Sequence, residues 1–200
     1  MQKNENAMHP ADSLQLIESM INRAKNNFSD NGHLYLIWGW VVLLCSVSHF
    51  VLWKFFGFRN APVVWLLTWV MAIYQAIYLK RNKRKEVVRT YTDDIIGYVW
   101  IAFIASMFIA GFALVHELGS QYYRLIAPVI LVLYGIPTFL SGIILKFRPL
   151  IIGGICCWLL SIISNYIPHE YQVLMFGIAM ITAWIIPGYA LQSKFKRQHS

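Results

Sequence analysis

The 200 residues are 58% hydrophobic and only 13% charged, with a positive mean hydropathy of +0.53, far outside the range of soluble domains. The formal charge of +8 does not point to nucleic acid, because the basic residues sit just beyond apolar runs, where membrane orientation and anionic headgroups account for them. A soluble globular domain and a nucleic-acid-binding module are therefore excluded in favour of an all-α, polytopic membrane helix bundle.

Residues 1–10 read as a disordered tail, and residues 11–32 as a cytoplasmic amphipathic helix with its cap. Asp12 or Ser13 offers the N-cap, and Leu14, Ile17, Met20/Ile21, Ala24 and Phe28 recur at spacings of three and four. Gln15, Glu18, Asn22, Arg23 and Asn26 occupy the other face, and Ser29-Asp30-Asn31-Gly32 ends the helix. Such a helix lies on a membrane surface ahead of the first span, or forms a partner-binding or homo-oligomeric seam over residues 11–28. The polar start has no basic segment leading into a short apolar one, so a cleavable signal peptide is not expected and the first span directs insertion.

Six apolar runs follow within residues 33–192, each near the roughly 20 residues that cross about 30 Å of hydrocarbon. They are Leu34–Phe56, Ala61–Leu79, Ile95–Val115, Leu125–Leu145, Leu150–Ile167 and Val173–Leu191, with a basic tail over 193–200. The loop Lys80–Asp94 carries six Lys/Arg residues between Lys80 and Arg89 and so belongs on the cytoplasmic side of the inner membrane. Both termini and the Lys146/Arg148 turn then lie inside as well. This arrangement places 14 Lys/Arg residues inside and three (Lys54, Arg59, Arg124) outside.

The spans pair into three similar hairpins. Odd spans open with Ile37-Trp38-Gly39, Ile95-Ile96-Gly97 and Ile151-Ile152-Gly153, each followed two turns later by a small or hydroxyl residue at Ser46, Ala105/Ser106 or Ser161. Even spans close with Gln75–Lys80, Ser141–Lys146 and Pro187–Gln192, which share a small residue, an apolar pair and a polar end. With Tyr134-Gly135 followed by Ser141-Gly142 in the fourth span, the membrane region resembles bacterial inner-membrane proteins of the acid-resistance membrane protein type. That resemblance implies three tandem hairpins and carries no defined chemistry. The chain departs from the pattern in its added N-terminal helix and in lacking a proline at the end of each odd span.

Small residues at helical spacing allow close backbone approach in lipid. Ala102/Ser106/Ala110, Gly153/Cys157/Ser161 and Ala179/Ala183 form such ridges, so the third, fifth and sixth spans are expected to pack tightly. Trp53 and Trp65 suit an outer aromatic belt, Trp38 and Trp40 an inner one, while Trp100, Trp158 and Trp184 lie deeper. Cys45, Cys156 and Cys157 read as packing residues. Pro137 and Pro187 interrupt the fourth and sixth spans, as plain kinks or as ligand-facing breaks.

The deep parts of the spans contain no Asp, Glu, Lys or Arg, which argues against an ion-coupled transporter and against most enzymes. Ser46, Ser48 and His49 have no evident acidic partner, so a catalytic set is not expected. His116-Glu117 and His169-Glu170 occupy equivalent outer turns of hairpins two and three and could converge as ligands for zinc or as titrating histidines; the alternative is solvated turns. His49 lies on the order of 10 Å deeper, at about 1.5 Å per residue, so one site joining all three histidines is geometrically strained. On the inner face the Lys80–Asp94 loop and Lys194-Phe195-Lys196-Arg197 would attract anionic lipid or an acidic cytoplasmic partner, or serve only to set topology. The sequence thus supports a non-enzymatic membrane protein that binds, senses or regulates. The alternative is a small-solute transporter or channel with His49, Gln75, Asn165, Pro137 and Pro187 as cavity residues.

Overall fold

The computed structural model describes residues 32–83 and 91–198. The expected N-terminal tail, the expected amphipathic helix, residues 84–90 of the basic loop and the end of the C-terminal tail lie outside the described residues. Among those described there are six helices and no strand. They are α1 (Gly32–Lys54), α2 (Leu66–Lys83), α3 (Tyr91–Leu118), α4 (Tyr123–Ile144), α5 (Arg148–Ser164) and α6. Helix α6 comprises His169–Met180, a π-helical turn over Ile181–Ile185, and Ile186–Gln198. Short 3₁₀ turns at Ala61–Trp65 and Gly119–Gln121 lead into α2 and α4.

Five of the helices are long and apolar enough to cross a membrane. Helix α5, expected to reach Ile167, stops at Ser164 after 17 residues, because Asn165–Pro168 form a turn and Pro168 caps the next helix. It covers about 25 Å at roughly 1.5 Å per residue, less than the usual hydrocarbon thickness. Its C-terminal carbonyls are satisfied locally: Asn165 Nδ2 donates to Ser161 O at 2.8 Å and Gln172 Nε2 to Ser164 O at 3.0 Å.

Helices α1, α4, α5 and α6 form the core, from Tyr35, Val42, Leu131, Leu150, Cys157, Ala179, Met180, Ala183 and Trp184. The most extensive contact is between α4 and α5, and the next is between α1 and α6. The α4–α5 seam is made by glycines. A Cβ at Gly142 would meet Ile151 N at 2.6 Å, and one at Gly154 would meet Phe139 Cβ at 2.7 Å. Ser161 Oγ donates to Pro128 O at 2.8 Å across the same seam. Along α1–α6, Ser46 Oγ donates to Val173 O at 2.7 Å, and Gly39 lies against Ile185.

The expected ridges divide. Gly153, Cys157 and Ser161 are buried, as are Ala179 and Ala183, and the Gly153 Cβ position falls 2.6 Å from Ala183 Cα. Ala102 and Ser106, by contrast, are exposed, and α3 reaches the bundle through Trp100 and Phe103 instead. The tight packing expected of the third span is thus an aromatic contact at one end rather than a small-residue seam. Trp100, Trp184, Tyr134 and Tyr35 make a chain of rings, with Trp184 at 4.9 Å from Tyr35 and 5.3 Å from Trp100. Trp184 fills the bundle as expected; Trp158 is half-buried against Phe139.

The α4–α5 turn places a lysine where the backbone favours glycine. Lys146 N donates to Ile143 O at 3.0 Å and Phe147 N to Gly142 O at 2.8 Å, the two bonds of a Schellman cap. The cap needs a left-handed residue, ordinarily glycine, yet Lys146 occupies it at φ 50°.

Candidate functional site

At the end of the bundle where α1 stops and α6 begins, here termed the distal end, the first turns of α4 and α6 and the last turn of α5 enclose a pocket of about 270 Å³. Arg124, Leu125, Asn165, Ile167, His169 and Gln172 line it. Arg124 arrives on the first turn of α4 because the 3₁₀ turn before it closes with Tyr122 N donating to Gly119 O. His169 opens α6 directly after Pro168, whose φ of −52° suits a helix entrance. Gln172 follows one turn later and points back at the α5–α6 connection, donating from Nε2 to Ser164 O and, at 3.4 Å, to Ile167 O.

Gln172 is only 6% exposed, and its Oε1 has no hydrogen-bond partner. Both Nε2 partners are carbonyls, so the carboxamide cannot be turned round without losing them. Among the described residues Arg124 has no ion pair or hydrogen bond either. The pocket therefore joins a guanidinium and an imidazole, while the Gln172 Oε1 is closed off behind the wall. No carboxylate, hydroxyl or thiol lines it.

Beside it, Phe50, Trp53, Lys54 and Glu170 line a smaller pocket of about 140 Å³. Lys54 Nζ pairs with Glu170 Oε2 at 2.5 Å and lies 5.6 Å from the Tyr171 ring centroid. His169 links the two pockets: its ring lies 5.3 Å from Trp53 and 4.9 Å from Tyr123. Trp53 in turn stacks on His49 at 6.0 Å, and His49 Nδ1 accepts from Trp65 Nε1 at 2.9 Å. Thus hairpins one and three meet at the distal end through aromatic and imidazole rings.

The residues singled out from the sequence are distributed unevenly over this arrangement. His169 and Asn165 line the larger pocket, and Glu170 the smaller one, where Lys54 holds it. His116 and Glu117 contact each other at 3.3 Å, both highly exposed at the end of α3. Among the described residues no three His, Cys, Asp or Glu side chains assemble as a metal-holding group, so the two His-Glu pairs are not brought together as one. His49 sits one aromatic layer inside. Pro137 and Pro187 are fully buried in helix packing and face no pocket described here. Thr138 Oγ1 donates to Tyr134 O at 2.9 Å beside the first of them.

Gln75 is far from the distal pocket; it accepts from Trp38 Nε1 and ties α2 to α1. Since α2 is otherwise held mainly near its first turns, where Cys45 Sγ donates to Val64 O, this bond fixes its other end. Gln75→Leu should leave the indole N–H unpaired in apolar surroundings and cost about 1–2 kcal/mol. The check is a melting curve of the purified protein, with Gln75→Glu or Gln75→Asn retaining an acceptor and more of the stability.

Arg124 and Gln172 were not marked by the sequence as site residues. Arg124 is one of only three basic residues expected on the outer side, and that scarcity is the signal that could have found it. No family model, curated protein or solved structure matches the chain.

Proposed function

We propose that the protein is a non-enzymatic, multi-pass protein of the cytoplasmic membrane that binds a small ligand at its outer face and acts as a sensor or regulator. The charge distribution supports the orientation: among the described residues Lys54, Arg59 and Arg124 are the basic residues at the distal end, whereas Lys80, Arg81, Lys146 and Arg148 lie at the opposite end. On this topology both termini are cytoplasmic and the distal pocket opens outward, while the basic loop and tail face anionic lipid. Membership of the three-hairpin class that the sequence resembles is compatible with this reading.

The observation that carries the proposal is the pocket itself, polar and open at one end of a bundle whose middle is filled. Leu131, Cys157, Ala179 and Ala183 are essentially inaccessible in that middle. A ligand bound distally would bear on α4, α5 and α6 together, and through the Ser46–Val173 hydrogen bond on α1. Transport is favoured by one specific feature, the π-helical turn directly before Pro187, since π turns and prolines both soften a helix.

A thermal-stability screen of small solutes, followed by flux assays in proteoliposomes, separates the two readings. A solute that stabilises the wild type but not the Arg124→Gln/His169→Ala double variant, and is not carried across the bilayer, is the expected result. Carriage of that solute would replace sensing by transport. If no solute distinguishes the two proteins, the distal pocket is not a binding site.

A further inference from the structure

We infer that the connection between α1 and α2, residues 55–65, is embedded in the leaflet at the distal end, with Phe55, Phe56 and Phe58 among lipid chains and Arg59 at a headgroup phosphate. This rests on the membrane-spanning reading above and adds a lipid-binding surface to it.

The connection does not project beyond the helix it leaves. Gly57, in the left-handed region at φ 59°, turns the chain, and Phe58 N then donates to Leu52 O at 3.0 Å, so the loop doubles back beside the last turn of α1. Ala61 N donates to Phe58 O and Val63 N to Asn60 O, which carries the chain straight into the 3₁₀ turn. That turn is held low on α1: Cys45 Sγ donates to Val64 O at 3.3 Å, and Trp65 Nε1 to His49 Nδ1 at 2.9 Å. Cys45 is nine positions before Lys54, about 13 Å along the helix at roughly 1.5 Å per residue. With Lys54 at headgroup level, the chain has re-entered the hydrocarbon before α2 begins.

The side chains suit that depth. Phe55 is 75% exposed, Phe56 74% and Phe58 46%, in a loop whose backbone is fixed by the bonds above. A phenyl ring has no polar atom to offer water, unlike the tryptophan or tyrosine of an interfacial belt. Phe55 extends the apolar stripe of Leu44, Val47 and Val51 at helical spacings of three and four. Two cations bracket the rings. Lys54 is held by Glu170, whereas Arg59 is exposed and has no ion pair among the described residues. An arginine next to an immersed ring lays its stem along the chains and lifts its head to the phosphates. The turn between α3 and α4 has the opposite chemistry, with His116, Glu117, Ser120 and Gln121 all exposed, as a turn in water requires. An aqueous protein partner would need the rings to stand clear of α1, which the Phe58–Leu52 bond opposes.

The test uses the full chain, one copy per nanodisc of phosphatidylcholine and phosphatidylglycerol, and a charged maleimide that does not enter lipid. Three variants are compared: Phe56→Cys, Ser120→Cys on the α3–α4 turn, and Ile104→Cys on the exposed middle of α3. The wild type supplies the background from Cys45, Cys156 and Cys157. All three sites are exposed, so the variants are expected to fold, which a melting curve checks. Maleimide reacts with the thiolate, which forms where water reaches the sulfur, so Phe56→Cys should label roughly tenfold more slowly than Ser120→Cys and at a rate close to Ile104→Cys. Adding Phe55→Ser and Phe58→Ser to Phe56→Cys should restore fast labelling, and unfolding in dodecyl sulfate should bring all the variants to one rate. Labelling of Phe56→Cys as fast as Ser120→Cys, with Ile104→Cys still slow, overturns the inference and leaves the rings in water for an aqueous partner. If Ile104→Cys also labels as fast as Ser120→Cys, the membrane-spanning reading fails and the inference with it.

Discussion

Valine in place of Gly154 should prevent the bundle from reaching its native packing. The α4–α5 seam brings Phe139 so close that a Cβ at this position would lie 2.7 Å from Phe139 Cβ, 2.8 Å from its N and 2.9 Å from its Cα. None of these atoms is the tip of a flexible side chain, so relief requires moving one helix backbone away from the other. Overpacking ordinarily costs about 1–3 kcal/mol, and a backbone clash in the most extensive contact of the molecule belongs at or above the top of that range. Separating α4 and α5 also strains the Ser161–Pro128 hydrogen bond. The expected outcome is a large fall in melting temperature or loss of the monodisperse species in detergent. Gly97→Ala and Gly111→Ala supply the contrast, since a Cβ there meets nothing within 4 Å. They should be neutral or stabilising by roughly 0.5–1 kcal/mol, as for other glycines inside helices. A Gly154→Val protein that melts with the wild type would contradict the seam.

The second large effect is expected at Trp184. Its ring is 6% exposed and touches Tyr35, Trp100 and Tyr134, which belong to three other helices. Removing a buried tryptophan from a water-soluble core costs about 3–5 kcal/mol. Here about 3 kcal/mol is expected, because lipid accepts an apolar ring as readily as the bundle does and only packing is lost. The indole N–H has no hydrogen-bond partner, so Trp184→Phe, which removes that donor and keeps a ring, should cost much less than Trp184→Ala. Near-ultraviolet circular dichroism provides a second check. The aromatic signal should collapse in Trp184→Ala, since Trp100 and Tyr134 lose their common neighbour, while helix content is retained.

These two sites also show what the sequence could and could not reveal. Helix positions were legible because lipid imposes a length and an apolar composition, and the basic turns mark the ends of the runs. Which helices touch was not legible in the same way. In a soluble helix the buried face is the apolar one, but a span is apolar all round whether it faces lipid or protein. Small-residue spacing was the remaining guide, and it succeeded for Gly153/Cys157/Ser161 and failed for Ala102/Ser106, where aromatic rings make the contact. At the distal end His169, Glu170 and Asn165 were legible as polar residues in a short turn. Their partners were not: Lys54 and Glu170 are 116 positions apart, and nothing local couples them. Gln172 resembles any polar residue at a helix start until its burial and its unmatched oxygen are seen together.

The pairing of α1 with α6 has a consequence for how the protein is made. Ser46 and Val173 are separated by 127 residues, so at about 5–20 residues per second a ribosome needs roughly 6–25 s to supply the helix that α1 packs against. The α4–α5 hairpin, joined by a tight turn, is complete well before that. During the interval the Gly39 and Ser46 face of α1 lacks its partner, and α6 closes the bundle by packing beside α1. Arrival of α6, rather than the folding of any earlier helix, is therefore the event that completes the distal pocket.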